Sequence, residues 1–104
     1  MGQFKVIFVP RANEDLKDIV RFVALQNSGE VAEKLGLQLI EKALSLTTFP
    51  ERGRVVPELK DPAIREIFFK TYRIVFRVRD QSVEVLRFWH AARGTPEIDS
   101  DRFQ

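Results

Sequence analysis

The sequence predicts an α+β fold of order βααβββ, in which a helical hairpin packs on one face of a mainly antiparallel β-sheet. Two observations predict it. Residues 12–48 carry apolar side chains at helical spacing in two stretches, whereas residues 64–90 hold three stretches rich in β-branched and aromatic residues, and one more such stretch precedes the helices. Because helices and strands are grouped along the chain, we expect two layers around one core.

The N-terminal half predicts one strand and two helices. Phe4 to Val9 is rich in β-forming residues and ends at Pro10, which suits the first turn of a helix. Apolar residues then recur from Ala12 to Val23 at helical spacing, with charged residues on the other side. A second helix is indicated from about Glu30 to Thr48, and its apolar face includes Gly36. A glycine there leaves room for the first helix, so we expect an antiparallel helical hairpin.

The C-terminal half predicts a loop and three strands. Prolines and a glycine break residues 49–63 into a loop, and strands follow at 64–69, 72–79 and 83–90, with a turn at 80–82. Strand 72–79 alternates between two sets of side chains that must point to opposite faces, namely Tyr72, Ile74, Phe76 and Val78 on one and Arg73, Val75, Arg77 and Arg79 on the other. We expect the apolar set to face the helices and the guanidinium groups to be displayed on the opposite side.

The last predicted strand is apolar on both of its faces. A two-residue turn before it would place Ile74 opposite Arg87 on the core side, which is unfavourable for the charge. A bulge near Val85 or Leu86 would remove the conflict, and so would a central position in which both faces of the strand are covered. The sequence leaves both solutions open.

Composition limits the classes of site that the chain can carry. At 104 residues it suits one domain, which we place at residues 1–93, followed by a polar, acidic tail at residues 94–104. The absence of cysteine excludes disulfides and thiolate metal sites, and a single histidine argues against a histidine metal cluster, so we expect no metal or other cofactor. No apolar run reaches the roughly 18–20 residues that span a bilayer, and no signal-peptide pattern is present, so the expected location is the cytoplasm.

Charge is distributed unevenly along the chain. Residues 52–93 hold ten basic and five acidic side chains, whereas residues 1–51 hold six and seven. Such an asymmetry favours an anionic partner for the second half. The alternative is that the arginines of strand 72–79 lie on a solvated sheet face and pair across strands with Glu84 or Glu66.

The order and spacing of several segments resemble the RelE/ParE toxin superfamily of bacterial type II toxin–antitoxin systems. These segments are Gly53-Arg54, Val56-Pro57-Glu58-Leu59, Ile64-Arg65-Glu66 and Tyr72 to Val78, closed by His90 and Arg93. The resemblance covers about residues 4–93 and is closer to the ParE branch. It implies a small toxin that is encoded beside its antitoxin, as in plasmid-stabilisation systems. The ParE branch is associated with inhibition of DNA gyrase and the RelE branch with cleavage of mRNA in the ribosome.

The ParE-like interpretation is a protein inhibitor of gyrase that a cognate antitoxin neutralises in a hetero-oligomer. The resemblance and the charge pattern together suggest Arg73, Arg77 and Arg93 as target-binding residues. Apolar side chains suggested for contact with the antitoxin are Leu37, Ile40, Leu44 and Trp89. The three aliphatic residues could instead reach the sheet, and the tryptophan could instead belong to the core.

The RelE-like alternative is a metal-independent endoribonuclease that works on the ribosome. Its candidate catalytic residues are Arg65, Arg73, Arg87 and His90, with Glu58 as a weaker candidate base. The arginines would bind phosphate through their bidentate fork, and His90 would transfer protons near neutral pH. Against it, residues 65–70 lack the lysine cluster of that branch, and no tyrosine follows Arg93. A third interpretation is a family member that keeps the binding fold without toxicity.

Overall fold

The computed structural model describes residues 3–98 of the chain. Its helices and strands are β1 (Lys5–Phe8), α1 (Pro10–Gln26), α2 (Gly29–Leu44), β2 (Arg54–Val55), β3 (Ile64–Phe69), β4 (Tyr72–Arg79) and β5 (Ser82–His90). Short 3-10 turns follow α2, precede β2 and follow β5, at Ser45–Thr47, Pro50–Arg52 and Ala91–Arg93. The two helices pack on a mostly antiparallel sheet, so the predicted α+β class is confirmed. Within the described range, no helix is long and apolar enough to cross a membrane.

The sheet has five strands in the order β1-β5-β4-β3-β2. β1 runs parallel to β5, and the other neighbouring pairs are antiparallel. The prediction that residues 49–63 form only a loop is wrong, because β2 lies within them and pairs Arg54 with Glu66 and Val55 with Arg65. Two residues are too few to show the alternation by which a strand is recognised.

Strand β5 carries a bulge at Leu86. Val75 of β4 pairs with Arg87, whereas the next residue, Phe76, pairs with Val85, so Leu86 has no partner of its own. The bulge keeps Val85 on the core side and moves Arg87 to the other face. β5 also lies between β1 and β4, which explains its apolar residues on both faces. Both solutions that the sequence left open are therefore present.

The helical hairpin closes tightly around Gly36, as predicted. A Cβ atom added at Gly36 would lie 2.9 Å from Cγ2 of Val20 on α1, closer than side chains tolerate. The second helix starts at a side-chain cap, because the hydroxyl of Ser28 accepts a hydrogen bond from the backbone N–H of Val31 at 3.1 Å. Buried side chains of α2, such as Leu39, then contribute to the core under the sheet.

The first residues of the predicted tail pack against the sheet. Pro96 is buried, and Ile98 is half-buried against the core cluster. The remainder of that tail, residues 99–104, lies outside the described residues. The packed layer therefore continues past the boundary that we predicted at residue 93, as far as residue 98.

Candidate functional site

Two of the predicted catalytic residues lie on the inner face of the sheet, defined here as the face that carries Tyr72 and Phe76. Residues directly opposite each other in an antiparallel pair share a face. Arg65 pairs with Phe76, and His90 pairs with Tyr72. Both candidate side chains therefore belong to the inner face, where the tyrosine and the phenylalanine are buried in the core.

The other two predicted catalytic residues lie on the opposite face, which we call the outer face. Arg73 pairs with Trp89, and Arg87 pairs with Val75. Strand alternation separates these positions from the inner face by the thickness of the sheet. The structure thus divides the four predicted catalytic residues into two pairs, on opposite sides of one β-layer.

Arg73 is buried and held by two carboxylates. Its Nε and Nη2 donate to Glu66 at 2.6 and 3.1 Å, and its two terminal nitrogens donate to Glu58 at 3.0 and 2.7 Å. Arg54 donates to the same Glu66 at 2.7 Å, and the carbonyl of Gly94 accepts from Arg73 at 3.2 Å. The hydrogen bond from Arg73 lowers the pKa of Glu58 from 4.5 to about 2, and in turn the pKa of Arg73 is raised.

Arg87, a diagonal neighbour of Arg73 on the outer face, is anchored in the same way. It donates to both oxygens of Asp15 on α1, at 2.7 and 2.9 Å, and to the carbonyl of Glu97 at 2.6 Å. Asp15 also accepts the backbone N–H of Phe88 at 3.0 Å. The Arg87 guanidinium lies 4.8 Å from the ring centroid of Trp89, which places a cation against the indole.

The expectation that the guanidinium groups of strand 72–79 are displayed on the outer face is wrong for Arg73, which is 4% exposed, and Arg87 on the same face is buried to the same extent. The physical reason is that acidic side chains from other segments reach that face and neutralise them. Arg77 pairs with Glu84 at 2.9 Å, as the alternative predicted. Arg93 remains exposed, and its guanidinium lies 3.8 Å from the centroid of the Trp89 ring.

His90 caps the turn that follows β5. Its Nδ1 accepts the backbone N–H of Ala92 at 3.1 Å, and its ring meets Tyr72 edge-on at 5.2 Å between centroids. An accepting Nδ1 requires the remaining proton of the neutral ring to sit on Nε2. Burial raises the pKa of Tyr72, so this neighbour is a neutral packing group, as predicted from its position. His90 therefore has a structural role, because it caps the turn after β5 and packs against Tyr72.

The aliphatic residues predicted to contact an antitoxin lie on the helical hairpin. Leu37 is 61% and Leu44 46% exposed, and Ile40 is half-buried. Leu37 and Ile40 line a groove of about 520 Å³ between the two helices, together with Leu16 and Val20 of α1. This surface is open and apolar, which fits an amphipathic partner segment.

Trp89 does not belong to that surface. It is 2% exposed, and its Nε1 donates to the carbonyl of Gly94 at 3.0 Å. Trp89 is thus buried, as its alternative assignment to the core predicted, because Arg93 and the segment that follows it cover the ring; its contact with an antitoxin stays a prediction.

The buried carboxylates Asp15 and Glu66 were missed as parts of the site. Asp15 lies 72 residues before Arg87 in the sequence, and no local pattern links them. A signal existed, because a basic residue within an apolar strand requires a buried counter-charge. That signal could indicate the need for an acid without indicating which one.

Residues 6–94 match the family model described as the ParE toxin of type II toxin–antitoxin systems, parDE. The chain belongs to this toxin family. It is 36% identical over 90 residues to "Toxin RelE2" of Caulobacter vibrioides, which covers 86% of this chain and 97% of that protein. It is also 36% identical over 92 residues to "Toxin RelE1" of the same organism, with 84% and 92% covered. The ParE family toxin is thus related to proteins named for both branches of the superfamily.

Two solved structures share the fold. The chromosomal ParDE toxin–antitoxin system from P. aeruginosa contains a chain that superposes with a TM-score of 0.76 at 20% identity, with 86% of this chain and 98% of that chain covered. A chain of the toxin–antitoxin complex RelBE2 from Mycobacterium tuberculosis gives 0.67 at 22% identity, with 86% and 93% covered. Membership of the family establishes a toxin of a type II toxin–antitoxin system.

Proposed function

We propose that this ParE family toxin acts as a protein inhibitor of DNA gyrase and that a cognate antitoxin neutralises it in a hetero-oligomer. The observation that carries the proposal is the saturation of Arg73 and Arg87 by carboxylates, of which Glu66 and Asp15 are buried and Glu58 is exposed. A phosphate group would have to displace Glu66, Glu58 or Asp15 to reach either arginine. Binding through the exposed protein surface requires no such displacement.

The division of the candidate residues between two faces supports binding over catalysis. Cleavage of RNA without a metal needs a base, an acid and a phosphate-binding cation within hydrogen-bonding reach of one scissile group. His90 and Arg65 lie on the inner face, whereas Arg73 and Arg87 lie on the outer face. One substrate cannot contact both faces of a packed sheet.

Contacts with the target are best assigned to two basic residues beside β5: Arg93, which is exposed, and Arg77 of the neighbouring strand β4, which is half-buried. Arg93 offers its guanidinium to solvent while its flat face rests on Trp89, which restricts its motion. Arg77 lies further along the same outer face and pairs with Glu84. Arg73, which we predicted as a third contact, supports this surface from within.

The groove on the helical hairpin is the proposed docking surface for the antitoxin. Leu37, Ile40 and Leu44 present a continuous apolar edge along α2. A segment that folds on binding could lay its own apolar face against them. The fold is shared with a chain of a toxin–antitoxin complex. Because gyrase and the antitoxin are both proteins of the bacterial cytoplasm, the cytoplasm is the proposed location of the chain.

A supercoiling assay tests the proposal directly. Purified chain at micromolar concentration should inhibit supercoiling by gyrase, and Arg93→Ala should weaken inhibition without lowering the melting temperature. Arg21→Ala, which removes an exposed arginine on α1, is the matched control and should inhibit like the unaltered chain. Full gyrase activity in the presence of the unaltered, folded chain would refute the proposed target.

The names of the Caulobacter relatives favour one alternative, a RelE-like ribonuclease. It requires cleaved mRNA in a translation reaction that contains the chain, and loss of cleavage in His90→Ala. Intact mRNA together with inhibited gyrase would favour the gyrase proposal. Normal growth after induced expression without antitoxin would instead indicate a family member that has lost its toxicity.

A further inference from the structure

Residues 93–98 form a segment, called the clasp below, that covers part of the outer face. Pro96 is buried and Ile98 is half-buried. Within the described residues, the clasp makes one backbone–backbone hydrogen bond, from Gly94 N–H to the carbonyl of Ala91 at 3.3 Å. It is therefore docked on the sheet without being a strand of it.

Side chains of the outer face hold the clasp by its carbonyl groups. The carbonyl of Gly94 accepts from the Trp89 indole at 3.0 Å and from Arg73 at 3.2 Å. The carbonyl of Glu97 accepts from Arg87 at 2.6 Å. These three donors come from β4 and β5, so the clasp bridges two strands of the sheet.

The donors are rigid because each arginine is fixed at its other end. Arg73 is held by Glu66, whose side chain is fully buried, and Arg87 is held by Asp15. Ion pairs that are buried and bidentate keep a guanidinium in one orientation. The remaining N–H groups then point at the clasp in a defined geometry, and the Arg93 guanidinium lies 3.8 Å from the centroid of the indole ring.

We propose that the clasp opens and closes as a unit, independently of the sheet, and that Arg73, Arg87 and Trp89 are the positioning residues that close it. Opening breaks three side-chain hydrogen bonds and one backbone bond, whereas opening the sheet breaks a whole ladder, so the clasp opens at a lower free energy. Closure saturates the outer face and fixes Arg93. Opening exposes an indole ring flanked by two guanidinium groups.

The sole tryptophan of the chain provides a specific probe of this motion. Trp89 is 2% exposed when the clasp is closed, so acrylamide should quench its fluorescence weakly in the unaltered chain. Pro96→Lys places an ammonium group at the buried position of the clasp, and the cost of burying that charge disfavours closure. Thr95→Lys adds the same charge at an exposed neighbouring position and is the matched control.

The expected result is a severalfold increase of the acrylamide quenching constant in Pro96→Lys, no increase in Thr95→Lys, and unchanged far-UV circular dichroism in both. Equal quenching in the two variants while both stay folded would overturn the proposal.

Hydrogen exchange in the unaltered chain provides a second test that needs no variant. The indole N–H of Trp89 should exchange through a local opening that depends only weakly on denaturant, and faster than the backbone N–H groups of the central strand β4. Exchange of the indole N–H only through global unfolding, with the same denaturant dependence as β4, would show that the clasp does not open on its own.

Discussion

Replacement of Arg73 by methionine should destabilise the toxin strongly. The substitution leaves the carboxylate of Glu66 in place, with a side chain that is fully buried. Arg54 remains as its partner, but the Arg54 side chain is 57% exposed and covers one oxygen. Removing one member of a buried ion pair costs about 3–5 kcal/mol. For a domain of this size the melting temperature should fall by roughly 12–20 °C, since each kcal/mol shifts it by about 4 °C.

A double-mutant cycle separates the pair from the individual side chains. Urea denaturation followed by circular dichroism gives the free energy of unfolding for Arg73→Met, Glu66→Met and the double variant. The double variant should recover much of the loss, because it leaves no buried charge without a partner. A loss below about 1 kcal/mol in Arg73→Met, as surface ion pairs give, would refute the reasoning. Additive losses would refute it equally.

This outcome also decides how a loss of toxicity is interpreted. Arg73→Met is expected to abolish toxicity at growth temperature by lowering the folded fraction. The same phenotype would be expected of a catalytic arginine, so toxicity alone cannot distinguish the two roles. Stability measured on the purified variant distinguishes them, because a solvent-facing catalytic arginine would be replaced with little change in melting temperature.

Two further predictions concern acid and packing. Glu58 has a pKa of about 2 in the fold against 4.5 ordinarily, so its contribution to the free energy of unfolding is complete above pH 4.5 and is lost as the pH falls towards 2. In acid titrations of stability, Glu58→Gln should therefore lose less unfolding free energy between pH 4.5 and 2 than the unaltered chain. An unchanged profile would contradict the hydrogen bond from Arg73 as the cause of the lowered pKa. Gly36→Val should lower the free energy of unfolding by about 1–3 kcal/mol, because the added Cβ would lie 2.9 Å from Val20. Gly29→Ala is the control: its added Cβ has no atom within 4 Å, so it should be neutral or stabilising in the same urea denaturation.

The sequence predicted those elements whose residues form an uninterrupted pattern. Strand 72–79 was predicted with the bounds that β4 has, because eight residues alternate without a break. The bulge at Leu86 was one of two solutions left open. A bulge shifts the alternation of side chains by one residue, and a central strand that is apolar on both faces shows no alternation in which such a shift could be seen. β2 was missed because pairing of two residues depends on β3 being beside it.

The site was less predictable than the fold because its chemistry depends on distant partners. The sequence identified Arg73 and Arg87 as notable, yet it could not show that Glu66 and Asp15 neutralise them. Composition was misleading for the residues after Arg93, which are polar as a group but include two that pack. Burial of Trp89 follows from that packing, and no pattern within β5 indicates it.

The parallel pairing of β1 with β5 has a consequence for the synthesis of the toxin. Lys5 lies beside Ser82, so the first strand has no partner until the last one has left the ribosome. Such distant pairing forms slowly compared with local contacts. A nascent chain that stops before β5 therefore leaves β1 without a partner strand and Asp15 without its counter-ion Arg87. The five-stranded sheet can therefore form only after β5 has been synthesised.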